Sequence, residues 1–367
     1  MIPNVKPTIP EADIPLILRD IEDILRTKQL VLGKNLKEFE SAFKQYVGTS
    51  FALGTTSCSQ TLQMLFQYYN VAGKEIIIPT LNFISVANAV LWAGGTPVFC
   101  DSGKNSLLPT LATMKAVTTE RTAGVVLVHI IGHINPELEE IKKFCTDNGL
   151  FLIEDCSHAH GSELHGKKAG NLCDAGVFSM FATKVMTTGT GGMLTTNNPA
   201  IAEYVLSARH QGQGKDLNDC KTIGGGWHMT EMVAVLGKYQ LTHLEDWVLH
   251  RVKIAQEYNK AFVYHPKIQL LVPTGRSAYY KYQILLSPDV NKKAFMDKLE
   301  EVGIQCGQVY NPPIHLQPIY MQKFGYHSGM YPNAEDAANR LVALPLFVEM
   351  TSEEQKTVID AVVKVLS

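Results

Sequence analysis

The sequence predicts an α/β protein: a mostly parallel sheet with helices on both faces, followed by a smaller α+β part. Three observations point there. Between about residues 50 and 240, short runs that are apolar throughout alternate with longer, partly amphipathic stretches. That is the pattern of strands buried on both faces and separated by crossover helices. The length of 367 residues suits roughly two domains at about 150 residues each. A long helical pattern over 241–262 is placed to join them. We therefore expect a large domain over 1–240 and a small C-terminal domain over 241–367.

The elements follow in order. Ile14, Ile17, Leu18, Ile21, Ile24 and Leu25 recur at helical spacing with charged residues between them. Leu36, Phe39, Phe43 and Tyr46 repeat the pattern, and Gly48 is a plausible stop. Strand-like runs come at 75–78, 97–100, 124–130, 150–153, 175–179 and 193–195, with a helical stretch at 136–148. Beyond the joining helix, strands are expected around 268–272 and 280–286, and helices at 292–302 and 353–366. The last begins with Thr351 and Glu354, the spacing of a capping box.

Composition excludes several function classes. Thirty-three Lys and Arg face 35 Asp and Glu, a net charge of −2, which disfavours a general nucleic-acid binder. The longest apolar stretches run to about ten residues, half of the roughly 20 that a bilayer span needs. The opening Met1-Ile-Pro-Asn-Val-Lys-Pro7 lacks a basic-then-apolar leader. Seven cysteines with no CxxC pair read as reduced thiols. A cytoplasmic protein without membrane or nucleic-acid partners is expected. His158-Ala-His160 has no carboxylate or Cys partner at ligand spacing, so no metal is expected.

Four segments carry chemistry. Phe151-Leu-Ile-Glu-Asp155 is a buried strand ending in a carboxylate, and in parallel sheets the carboxyl ends of strands form the ligand crevice. Lys184 follows the strand ending at Ser179 and precedes a glycine-rich turn, Gly189-Thr-Gly-Gly192. An enclosed lysine loses its proton more readily and serves as a Schiff-base nucleophile. Ser57-Cys-Ser59 opens a helical stretch, where free N–H groups and small hydroxyls suit a phosphate. Phe83, after the 75–78 strand, could cover an aromatic ligand or be core. Each alone has a plain structural explanation. Together they are the parts that hold pyridoxal 5′-phosphate (PLP), with Asp155 keeping the ring nitrogen protonated and Lys184 as Schiff-base lysine and proton carrier.

Glu154-Asp-Cys-Ser-His-Ala-His-Gly161 and Gly170 to Lys184 with Gly191-Gly192 resemble the DegT/StrS family of PLP-dependent sugar aminotransferases. So do Gly33 to Glu40, Pro79 to Asn88, Met229-Thr-Glu231, His315-Leu-Gln-Pro318 and Leu344-Pro-Leu-Phe347, in order along nearly the whole chain. The resemblance implies a type I PLP fold, with a mixed, mainly parallel seven-stranded sheet, and a homodimer with shared active sites. It implies that His158 faces the ring hydroxyl, where the family usually has Gln. Ser57, Cys58, Ser59 and Ser179 would hold the phosphate, and Phe83 would stack on the ring. The implied reaction passes an amino group, usually from glutamate, to a keto sugar on a nucleoside diphosphate. Such products serve amino-sugar and polysaccharide biosynthesis, lipopolysaccharide included.

The chain departs from the pattern in two places. Cys58 and Ser59 replace the more usual Gly and Thr of the phosphate turn. In Gly224-Gly-Gly-Trp-His-Met229, Gly226 and His228 replace an Asn that reaches the neighbouring subunit's cofactor phosphate and an Arg near the substrate. His228, Tyr310 and His315 are candidate substrate contacts, and Lys281, Arg251 and His315 candidate diphosphate contacts. Three alternatives stay open: another polyol or keto acceptor, such as an aminocyclitol; a dehydratase, disfavoured because its superfamily members replace the Schiff-base lysine with His; and a PLP-binding regulatory protein without turnover.

Overall fold

The structure, a computed structural model, describes residues 1–214 and 218–367. Helices α1 (Ile14–Thr27) and α2 (Lys34–Val47) come first, and Gly48 ends α2 in a left-handed conformation at φ 84°. There follow β1 (Phe51–Thr55), α3 (Cys58–Tyr68), β2 (Glu75–Pro79), α4 (Ser85–Trp92), β3 (Thr96–Cys100), α5 (Leu111–Lys115) and β4 (Thr122–Val128). Next are α6 (Leu138–Asp147), β5 (Phe151–Asp155), the short pair β6 (Glu163–Leu164) and β7 (Lys167–Lys168), β8 (Ala175–Ser179), β9 (Gly192–Thr196) and α7 (Pro199–Ala208). The long α8 (Glu231–Phe262) leads to β10 (Ile268–Leu270), β11 (Tyr282–Leu286), α9 (Lys292–Glu301), α10 (Pro318–Phe324), α11 (Pro332–Arg340), β12 (Leu341–Leu344) and α12 (Ser352–Leu366).

Seven strands form one sheet in the order β1-β9-β8-β5-β4-β2-β3. The pairs β3–β2, β2–β4, β4–β5 and β5–β8 are parallel, and β9 runs antiparallel to both β8 and β1. Alternation along β2 explains the all-apolar runs. Ile76 and Ile78 join one core cluster with α3, α4 and α7, while Ile77 joins the other with α2, α6 and α8. Each strand feeds both layers, so neither face can be polar. A three-stranded antiparallel sheet, β10-β11-β12, packs with α9, α12 and the end of α8 into a third cluster.

Helix α8 begins at Glu231, ten residues before the expected 241. Its first turns carry Met232 to Leu236, apolar all round, so no period marks them as helix. One side of them packs on α1 and α2, with Val235 against Ile17 and Ile24 and the Phe39 ring filling the space beside Gly237, while Met232 stays exposed. Glu231 is itself buried, and its carboxylate accepts the free N–H groups of Gly33, Asn35 and Leu36 at 2.8, 2.8 and 3.1 Å. The capping box at α12 forms as expected.

Candidate active site

The carboxyl ends of β5 and β8 open into a cavity of about 340 Å³. Strand β5 delivers Asp155 to its floor, buried at 4 % exposure. One carboxylate oxygen, Oδ1, accepts the Ser157 N–H at 2.9 Å; among the described residues no donor reaches the other. The neighbouring Glu154 points to the opposite side. Its two oxygens accept from Gly170, Leu172 and Cys173 N–H groups and pair with His129 Nε2. Glu154 thus holds the turn leading into β8. His129, Glu154 and Cys156 bring potential ligand atoms within 4.8 Å of one another. The carboxylate between them is already saturated with hydrogen-bond donors, which describes a strut.

Lys184 sits on the connection between β8 and β9, which the Ser179–Gly192 pair closes at its base. Burial lowers its ammonium to about 8, while Asp155 and Cys58 pull the other way. The Ser57 turn reaches the cavity through the same strand. Gly192 pairs with Ser179 on one side and Thr55 on the other, and a Cβ there would lie 2.4 Å from the Ser57 carbonyl carbon. Only glycine lets the two cavity walls approach this closely. Ser57 caps α3, its hydroxyl accepting the Gln60 N–H. Cys58 is buried, with Sγ 3.2 Å from Ser157 Oγ, and burial pushes its thiol well up.

His158 is enclosed at 3 % exposure. Its Nδ1 accepts the Ile131 N–H at 3.2 Å, which leaves the ring proton on Nε2, 2.9 Å from the Tyr310 hydroxyl. Burial holds its pKa well below the usual histidine range, so the ring is neutral. Phe83 and Phe181 stand at the mouth with more than half of each side chain exposed.

Of the residues singled out from sequence, Ser57, Cys58, Ser59, Phe83, Asp155, His158, Ser179, Lys184 and Tyr310 all line this one cavity. His228 does not. It is bridged to Thr55, beside the Ser57 turn, with its ring 5.7 Å from that of His210. His315 is buried elsewhere, with Nδ1 2.7 Å from Thr80 Oγ1 and Nε2 3.1 Å from Glu335. Arg251 is buried too, donating to the carbonyls of Ala278, Tyr279, Tyr280 and Leu346. Lys281 donates to Asn4 Oδ1 at 2.6 Å, and burial lowers it to about 7. Sequence reasoning missed Asn82, Thr183 and Tyr280 in the wall. Thr183 adjoins Lys184 and was within reach. Tyr280 stands in Tyr279-Tyr-Lys-Tyr282, where nothing separates a cavity residue from core.

The sequence model of the DegT/DnrJ/EryC1/StrS aminotransferase family matches residues 13–363. The chain belongs to this family. Among its relatives, a dTDP-4-dehydro-2,3,6-trideoxy-D-glucose 4-aminotransferase of Saccharopolyspora spinosa is 30 % identical, over 93 % of this chain and 91 % of its own. A UDP-4-amino-4,6-dideoxy-N-acetyl-beta-L-altrosamine transaminase of Helicobacter pylori is 31 % identical, over 93 % and 92 %. The solved Helicobacter pylori PseC, an aminotransferase of pseudoaminic acid biosynthesis, superposes with a TM-score of 0.92 at 28 % identity, over 100 % of this chain and 99 % of that one. The DegT/DnrJ/EryC1/StrS member described here therefore has the type I PLP aminotransferase fold expected from its sequence. Its cavity fits the cofactor of that fold. It offers a buried carboxylate oxygen that no donor among the described residues reaches, a lysine amine, and a hydroxyl-rich turn at a helix start.

Proposed function

We propose that this chain moves an amino group from an amino-acid donor, glutamate in the first instance, to a keto sugar carried on a nucleoside diphosphate. The observation that carries the reading is the meeting of Asp155 and Lys184 in one enclosed cavity beside the Ser57 turn. The relatives' names support the acceptor class, since two of them specify sugars on dTDP and UDP.

PLP, when bound, supplies an electron sink for breaking a bond next to an amino-bearing carbon. The chain's residues do the rest. Asp155, through its open oxygen, holds a proton on the ring nitrogen. Lys184 would be the Schiff-base lysine and, once freed, would take the proton from the donor's amino-bearing carbon and return it to the cofactor's aldehyde carbon, on the far side of the shared nitrogen. A group lowered to about 8 can do both near neutral pH. Ser57, Ser59 and Ser179, with the N–H groups that start α3, hold the phosphate, and Cys58 shapes the turn. Phe83 covers the ring. His158, neutral, donates from Nε2 to the ring hydroxyl or to Tyr310.

A homodimer belongs to the same reading. Phe83 and Phe181 flank the cavity at 55 % and 54 % exposure, and Ile223, beside Gly226, is 80 % exposed. A second copy would cover them, with His228 near the junction. Tyr310 is the proposed substrate contact from within the chain. Among the described residues no helix is long and apolar enough to cross a membrane, in keeping with a cytoplasmic enzyme.

The experiment is direct. Purified protein loaded with PLP should lose its visible absorbance on adding glutamate, as the cofactor becomes its amine form. It should then aminate a member of a panel of nucleotide-linked keto sugars, read by mass spectrometry. Lys184→Ala should lose both the visible band and the turnover. No conversion of wild type by glutamate, glutamine or an amino sugar would end the reading.

A further inference from the structure

Tyr280 forms part of the cavity wall, and no role above uses it. The residue is held by four contacts, two through its backbone and two through its side chain. Its N–H donates to the Ile131 carbonyl at 3.1 Å, and its own carbonyl accepts from Arg251 Nη2 at 2.9 Å. Its hydroxyl lies 3.1 Å from Thr183 Oγ1. The His158 imidazole stacks on it, centroids 4.2 Å apart and planes 18° from parallel. The backbone is fixed by the first two, and the ring cannot leave the wall without breaking the last two.

Lys184 Nζ stands 4.7 Å from the centre of that ring. An ammonium within about 6 Å of an aromatic face is attracted by the ring's quadrupole, most strongly where water is excluded. Thr183 immediately precedes Lys184, so a single hydroxyl contact ties the lysine's own loop to the ring its amine faces. We propose that Tyr280 is a positioning residue whose ring face is the berth of the free Lys184 ammonium, holding it beside the reacting carbon while the lysine is not bonded to the cofactor. The proposal rests on Lys184 being the Schiff-base lysine.

The berth answers a physical problem. Freed from its bond, the amine must take a proton and keep it within reach in a place where burial disfavours charge. Several other groups face it. Asp155, from β5, favours the charge. Lys281, just before β11, lies 5.5 Å from the centre of the same Tyr280 ring and opposes it. Cys58, from α3, is held as a thiol. His158 and His160 are kept neutral by burial. Tyr280 is the contact that holds the charge without adding one of opposite sign.

The test uses protein loaded with pyridoxamine phosphate, in which Lys184 is free. Its titration midpoint is read from the pH dependence of acetic anhydride labelling, by peptide mass spectrometry. Tyr280→Phe, which keeps the face and drops the hydroxyl, is expected to stay within about 0.2 pH unit of wild type. Tyr280→Leu is expected to lower the midpoint by about half to one unit. It should also slow cofactor conversion by glutamate about tenfold, with little change in donor KM. If Tyr280→Leu does not fold, mono-, di- and trifluorophenylalanine at 280 should lower the midpoint stepwise. A wild-type midpoint in Tyr280→Leu or in the fluorinated series, or an equal shift in Tyr280→Phe, overturns the proposal. Retention of the visible band in Lys184→Ala would instead remove the role assigned to Lys184, so the two failures are told apart.

Discussion

In the proposed reaction, Asp155 is the residue on which the electronics of the site turn. Replacing it by Asn keeps the Ser157 N–H bond available but removes the charge proposed to hold a proton on the ring nitrogen. We expect Asp155→Asn to keep PLP bound, seen as a retained visible band, while glutamate conversion slows by about 100-fold, the scale of losing a preorganised electrostatic partner. A loss of less than about threefold in stopped-flow traces would remove Asp155 from this role. Lys184 and Asp155 were legible in the sequence because each breaks a local rule, a charge at the end of an apolar strand and a lysine beside a glycine turn. Tyr280 was not, since an aromatic in an apolar strand looks the same whether it faces core or cavity. The candidates at 251 and 315 show the converse. A charged or polar letter in the sequence does not reveal that its partners are already supplied, by four backbone carbonyls for Arg251 and by Thr80 and Glu335 for His315.

Strand β9 is the element that makes the site. By lying between β1 and β8 it draws together the Ser57 turn and Ser179, separated by more than a hundred residues of chain. Gly192 is where the two come closest. Gly192→Ala should push the turn away and weaken PLP binding by about tenfold or more, measured by titration of the apo protein, with a loss of about 2 kcal/mol in urea unfolding. Unchanged affinity would show that the turn does not depend on that contact. Most of the large sheet could be read from periodicity. Strand β1 could not, because five residues leading straight into a turn carry little pattern. The first turns of α8 could not either, because the unbroken apolar run 232–236 shows no polar face to mark it as helix.

At the scale of the whole molecule, burial of neutral histidines sets the response to acid. His133 and His160 are pushed down to about 3 and His158 well below 6.5, in each case by desolvation first. The unfolded chain takes up these protons below about pH 6.5 and the folded chain refuses them. Stability is therefore fully present above that pH and falls as the pH drops, by up to about 4 kcal/mol per pH unit for the three together. Unfolding free energies in urea between pH 7 and 5 should show this slope. His133→Leu, at a ring whose Nε2 has no hydrogen-bond partner among the described residues, should lower it by about a third. A slope unchanged by the substitution would mean that His133 is protonated in the folded protein.

The placement of β1 beside β9 also has a consequence for synthesis. Among the described residues the first sheet strand, at residue 51, has no neighbouring strand in the sheet until residue 192 has been translated, since within the sheet it pairs with β9 alone. At about 5–20 residues per second, that is a wait of roughly seven to thirty seconds on the ribosome with an unpaired edge. Whatever shields that edge during the interval governs the yield of working enzyme, and vitamin B6 phosphate can act only once translation has passed this point.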